Sequence, residues 1–99
     1  MRLRPELREK FKAMVSAELG PDAEVWLFGS RVDDRLRGGD IDLLVRSPRV
    51  LDERATLESR LAVRAMRLAD GRRVDLLLMD AHTPPHPVHA EALATGVPL

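Results

Sequence analysis

The 99-residue sequence predicts a small α/β sandwich, in which a three-stranded mixed sheet is flanked by helices in the order α-β-α-β-α-β-α. Short apolar runs, such as the one at 43–45, are typical of strands buried on both faces. Longer segments between them carry apolar residues at helical spacing, and glycine or proline separates the two kinds of segment. Because this length is near the lower limit for one self-supporting core, we expect a single domain over residues 1–99.

The first helix is predicted to begin at Pro5, since proline is favoured in the first turn. It ends at Gly20-Pro21-Asp22, which is a typical helix stop. Its apolar residues recur at helical spacing and are Leu7, Phe11, Met14, Val15 and Leu19. A short strand, Val25 to Phe28, then leads into Gly29-Ser30.

A short helix or helical turn is expected over residues 31–37, before a break at Gly38-Gly39. The second strand is predicted from Asp40 to Arg46 and is closed by Ser47-Pro48. A long helix is predicted from Asp52, the expected N-cap, to Ala69.

Asp70-Gly71 supplies the stop for that long helix. The third strand is predicted from Arg73 to Met79, and it is apolar apart from Asp75. A last short helix is expected from His86 to Thr95.

Composition excludes several classes of function. The formal net charge is zero, so no broad basic surface is expected for binding duplex DNA or RNA. The absence of cysteine excludes disulfides and thiolate metal sites. The first residues lack the apolar core of a signal peptide, and no apolar run approaches the roughly 20 residues that span a bilayer. We therefore expect a soluble cytoplasmic protein.

Three aspartates and a Gly-Ser turn point to a common site. Asp40 and Asp42 are spaced i, i+2 on a strand, which places both carboxylates on one face. Asp75 joins them at one end of the sheet if the third strand lies beside the second; the alternative is a simple ion pair with Arg73 or a neighbouring arginine. A divalent cation is the simplest way to stabilise converging carboxylates. The backbone N–H groups of Gly29-Ser30 suit a phosphate. Together these features predict a nucleoside triphosphate site.

The spacing of these motifs resembles that of a known family. Gly29-Ser30, nine further residues and then Asp40-Ile41-Asp42 is similar to the signature of the polymerase-beta-like nucleotidyltransferase superfamily. More narrowly, the chain resembles the minimal nucleotidyltransferases, which are often encoded beside a HEPN-domain partner in toxin–antitoxin pairs. The resemblance covers about residues 22 to 99 and implies the small nucleotidyltransferase fold.

The resemblance implies roles for individual residues. In that family the turn residues hold the triphosphate, and the paired aspartates and a later carboxylate bind Mg²⁺. Those roles fall on Gly29 and Ser30 for the nucleotide, and on Asp40, Asp42 and Asp75 for metal binding and catalysis. Arg31, directly after the serine, is placed to meet a phosphate.

The activity implied by the resemblance is Mg²⁺-dependent transfer of AMP from ATP to a protein hydroxyl, with one or two metal ions. The implied acceptor is a tyrosine of a HEPN toxin, which makes this chain the antitoxin of a hetero-oligomer. Two alternatives stay open, namely a catalytically inactive module that neutralises its partner by steric contact and an enzyme that modifies a small molecule. Many relatives carry Ala-Arg-Gly soon after the Gly-Ser, whereas this chain has 31–34 as Arg-Val-Asp-Asp, which favours the first alternative.

Three histidines near the C-terminal end invite a zinc interpretation. His86 and His89 are spaced i, i+3, and His82 precedes them. A zinc site needs further convergent ligands, and the surrounding prolines are typical of an exposed turn. Surface histidines are therefore the favoured interpretation.

Overall fold

The structure is a computed structural model that describes residues 3–28, 41–84 and 86–99, apart from the side chain of residue 88. Within these ranges the chain forms helices and strands where its periodicity predicts them, together with one additional short strand. The elements in chain order are α1 (Pro5–Leu19), β1 (Glu24–Phe28), β2 (Ile41–Arg46), α2 (Arg54–Leu68), β3 (Val74–Met79), α3 (Pro87–Thr95) and β4 (Val97–Pro98).

The described strands form one four-stranded mixed sheet with the order β3-β2-β1-β4. β2 is antiparallel to β1 and parallel to β3, and β1 also pairs with β4 in the antiparallel sense. The predicted α/β class is confirmed, but the predicted number of three strands is wrong. β4 escaped prediction because two residues, one of them a proline, carry no alternating pattern. It is extended by Leu99, whose N–H donates to the Val25 carbonyl at 2.8 Å.

The main hydrophobic core lies between one face of the sheet and the two longer helices, α1 and α2. Alternate residues of β2 and β3 supply the sheet side of this core. Its fully or nearly fully buried members include Phe11, Val15, Leu27, Ile41, Leu43, Val45, Leu61, Ala65 and Leu78. This packing leaves the other residues of each strand on the opposite face of the sheet.

The boundaries of α1 agree with expectation, whereas the N-terminal boundary of α2 differs from it. Pro5 opens α1, and Gly20, at φ 94°, closes it in a conformation that favours glycine. The expected N-cap Asp52 is wrong, because the N-cap of α2 is Glu53, a left-handed residue at φ 52° without a side-chain cap. The turn is instead anchored through Leu51, whose N–H donates to the Asp80 carboxylate at 3.0 Å.

The remaining boundaries agree with prediction to within a residue, which is the usual uncertainty of element ends. β1 begins at Glu24, β3 at Val74 and α3 at Pro87. The helix expected over 31–37 and the predicted strand start at Asp40 lie outside the described residues.

α3 contacts β1 on the face of the sheet opposite to the main core. Leu44 and Ala92 are almost completely buried yet lie outside the main core cluster, as expected if they are buried on this second face. Gly96 ends α3 where a Cβ atom would collide with the carbonyl of Ala92 and lie 3.0 Å from the carbonyl of Leu27. The lack of a side chain at Gly96 therefore lets the helix end approach the sheet closely.

Candidate functional site

Asp42 and Asp75 occupy directly opposite positions on two neighbouring strands. β2 and β3 are parallel, and their register pairs Asp42 with Asp75. Side chains of paired residues project from the same face of a sheet, so both carboxylates lie on the face opposite to the main core. On the other side of Asp42 the register places Phe28, the last residue of β1.

The two carboxylates differ in exposure. Asp42 is half-buried, whereas the Asp75 side chain is 48% exposed. The guanidinium Nε of Arg73 lies 3.3 Å from Oδ1 of Asp75, and the backbone carbonyl of Arg73 accepts the N–H of Ile41 at 3.0 Å. Sequence reasoning considered Arg73 only as an alternative to a site role for Asp75. The structure shows that the ion pair and the alignment with Asp42 coexist.

Four of the predicted site residues lie outside the described residues, namely Gly29, Ser30, Arg31 and Asp40. Their attachment points are nevertheless described. Gly29 follows Phe28, and Asp40 precedes Ile41. The β1–β2 register places both of these strand ends at the same end of the sheet as Asp42. The described residues on either side of 29–40 therefore lie at the same end of the sheet as the Asp42–Asp75 pair.

The donor chemistry of this pair fits a divalent cation. Carboxylate oxygens are the ligands preferred by Mg²⁺ and other hard cations, and two of them share one face here. Among residues 3–28, 41–84 and 86–99, no group of three or more acidic, histidine or cysteine side chains is placed to hold a metal ion. The described part of the chain therefore supplies two of the three predicted ligands.

The histidines form a separate cluster around the start of α3. The rings of His86 and His89 meet edge to face, with centroids 5.9 Å apart. His82 and His86 are exposed, as expected, but His89 is half-buried and its Nδ1 finds no hydrogen-bond partner among the described residues. Burial, with a smaller contribution from nearby positive charge, lowers the pKa of His89 below its ordinary value. No zinc-binding group forms here among the described side chains.

A groove of about 560 Å³ lies on the helical side of the molecule. It is bounded by the start of α1 and the end of α2. Its lining mixes three basic and two acidic residues with apolar ones, namely Arg4, Glu6, Leu7, Lys10, Leu68, Ala69, Asp70 and Arg72. Its mixed charge favours no particular ligand.

None of the described helices is long and apolar enough to cross a membrane.

Comparison with known proteins relates this geometry to a family. The sequence model of the nucleotidyltransferase domain family matches residues 1–91. No curated protein matches the sequence.

Several solved structures share the fold. A toxin–antitoxin complex, MntA–HepT, superposes with a TM-score of 0.65 at 18% identity, covering 96% of this chain and 70% of that chain. A protein from Shewanella oneidensis gives a TM-score of 0.68 at 16% identity, over 98% and 71% of the two chains. A toxin–antitoxin structure with AMP-PNP gives 0.65 at 20% identity, over 97% and 72%.

Proposed function

Because the chain belongs to the nucleotidyltransferase domain family, we propose that it transfers AMP from ATP to a hydroxyl group of a partner protein. The observation that carries this proposal is the register pairing of Asp42 with Asp75 on one face of the sheet. The pair lies beside the strand ends from which residues 29–40 depart, and this segment contains the predicted phosphate-binding residues. A phosphate and a cation would therefore bind next to each other at this end of the sheet.

The residues divide between substrate binding and chemistry. Gly29, Ser30 and Arg31 bind the β- and γ-phosphates through backbone N–H groups and a guanidinium. Asp40, Asp42 and Asp75 hold one or two Mg²⁺ ions.

When bound, Mg²⁺ supplies neutralisation of the charge on the triphosphate. The acceptor oxygen forms a bond to the α-phosphorus, the bond to the bridging oxygen breaks, and pyrophosphate leaves. In this proposal Asp75, the more exposed of the two described carboxylates, takes the proton of the attacking hydroxyl or serves as a ligand.

We propose that the acceptor belongs to a HEPN toxin and that this chain is its antitoxin. Support comes from the solved structures that share the fold, two of which are toxin–antitoxin assemblies and one of which holds AMP-PNP. Modification of a toxin with ATP as the donor places the reaction in the cytoplasm, within a hetero-oligomer.

The test is a transfer assay with α-³²P-labelled ATP, Mg²⁺ and the protein encoded by the neighbouring gene, which the proposal expects to be a HEPN protein. Label on the partner that disappears with Asp42→Asn, which has nearly the same shape without the charge, would support the proposal. A matched control is Asp22→Asn, an exposed aspartate that pairs with Arg49 at 3.2 Å and precedes the start of β1, at the opposite end of this strand from Phe28. Tight binding without label would instead identify an inactive module, and label on a small acceptor would identify a different substrate class.

A further inference from the structure

Arg73 lies beside the predicted metal site, although its positive charge would compete with a metal ion for the carboxylates there. Its Nε contacts Oδ1 of Asp75 at 3.3 Å, and its side chain is 70% exposed. Its backbone is fixed, because the Arg73 carbonyl accepts the N–H of Ile41, the residue next to Asp42. The guanidinium is therefore an exposed group on an anchored backbone beside the carboxylate pair.

The alignment of the two carboxylates explains why a positive charge is favourable at this position. Like charges at directly opposite positions of neighbouring strands destabilise a sheet. Asp42 and Asp75 are such a pair, and Arg73 supplies positive charge to the more exposed member. An exposed ion pair of this kind is weak and is readily exchanged for a stronger ligand.

We propose that Arg73 is an exchangeable counter-ion, which neutralises Asp75 before substrate binds and then moves to the phosphates of the incoming nucleotide. This inference rests on the proposed function, since it needs a cation at Asp42 and Asp75. A cation held by Asp42 and Asp75 would displace the guanidinium from Asp75. The triphosphate bound to that cation would then present phosphate oxygens that accept hydrogen bonds from the released guanidinium. Guanidinium groups bind phosphate oxygens in two-pronged geometry, which lysine cannot reproduce.

The proposal predicts effects of opposite sign on the two ligands. Removing Arg73 removes the competitor for Asp75, so Mg²⁺ binds more tightly by about 1.4- to 5-fold, the range that corresponds to an exposed ion pair. It also removes a phosphate contact, so ATP binds more weakly by about 10-fold, as for one lost hydrogen bond between charged groups. A residue that only supported the local structure would weaken both ligands together.

The experiment compares the full-length chain with Arg73→Ala, Arg73→Lys and the control Arg72→Ala. Arg72 is the adjacent exposed arginine and lines the helical groove, so its removal reports the general effect of losing one positive charge. Calorimetric titration measures Mg²⁺ alone and, separately, ATP in saturating Mg²⁺. Opposite shifts in Arg73→Ala, absent from Arg72→Ala, with Arg73→Lys intermediate for ATP, would support the inference.

The alternative outcomes separate this inference from the proposed function. If the wild-type chain binds Mg²⁺ and ATP but Arg73→Ala behaves like Arg72→Ala, the counter-ion role is wrong and the proposed function stands. If Arg73→Ala weakens both ligands, Arg73 supports the site structurally and the inference is again wrong. If the wild-type chain binds no Mg²⁺, both proposals fail.

Discussion

Replacing Asp75 by asparagine should separate the chemistry of the site from the stability of the fold. Asp75 is about half exposed, and Arg73 at 3.3 Å is the partner of its carboxylate. Loss of such an exposed ion pair costs roughly 0.2–1 kcal/mol. The same substitution relieves the repulsion with Asp42, which is worth a similar amount of roughly 0.2–1 kcal/mol. The two effects oppose each other, so the free energy of unfolding should change by less than about 1 kcal/mol.

Activity should respond on a different scale. If Asp75 accepts a proton or holds a cation, its loss should slow transfer by about 100-fold or more, the lower end of general acid–base contributions. Urea unfolding measures the stability, and transfer of label from ATP to the partner protein measures the rate. Asp22→Asn is the matched control, because it also removes one exposed carboxylate from an arginine pair, here at 3.2 Å.

Either of two results would refute this reasoning. An Asp75→Asn variant that folds normally and transfers label at the rate of Asp22→Asn would remove Asp75 from the site. A loss of several kcal/mol would show instead that the carboxylate supports the fold, against the exposure that the structure gives it.

Three further predictions concern the rest of the described chain. Because burial lowers the pKa of His89, the unfolded chain takes up this proton first, so the free energy of unfolding should fall as pH drops below about 6.5, the ordinary histidine value. His89→Gln should flatten that dependence in urea titrations from pH 7.5 to 5, and a slope equal to that of the unsubstituted chain would contradict the assignment. Gly96→Ala should cost about 1–3 kcal/mol by crowding two backbone carbonyls, and an unchanged thermal midpoint would show that the end of α3 shifts freely. Glu18→Gln removes the negative charge that pairs with two arginines of α2 and should cost about 0.5–2 kcal/mol in a salt-sensitive way, so a loss that is unchanged in 1 M NaCl would point to packing instead.

The sequence was most informative where periodicity and backbone chemistry agreed. Pro5, the apolar stripe of α1 and Gly20 together locate the first helix, because each reflects a local requirement of the backbone. The apolar runs of β2 and β3 are equally clear, since strands buried on the core side tolerate few polar residues.

Prediction failed where structure depends on distant contacts. β4 exists because β1 offers a free edge to residues 97–98, which carry no strand signal of their own. The N-cap of α2 is Glu53 instead of Asp52 because the Asp80 carboxylate accepts a hydrogen bond from the N–H of Leu51, which lies 29 residues away along the chain. The neighbourhood of Asp42 and Asp75 followed from placing the third strand beside the second, but the coexistence of this alignment with the Arg73–Asp75 ion pair needed coordinates.

The edge of β3 that faces away from β2 affects how this molecule can associate with other chains. Glu58 accepts the N–H of Leu78 at 2.8 Å, and Arg54 donates to the carbonyl of the same residue at 3.0 Å. These are the backbone groups through which a strand from another chain would extend the sheet, and α2 already occupies them with its own side chains. Exposed strand edges promote aggregation. The side chains of the first turns of α2 therefore hinder the addition of a strand from another chain at this position.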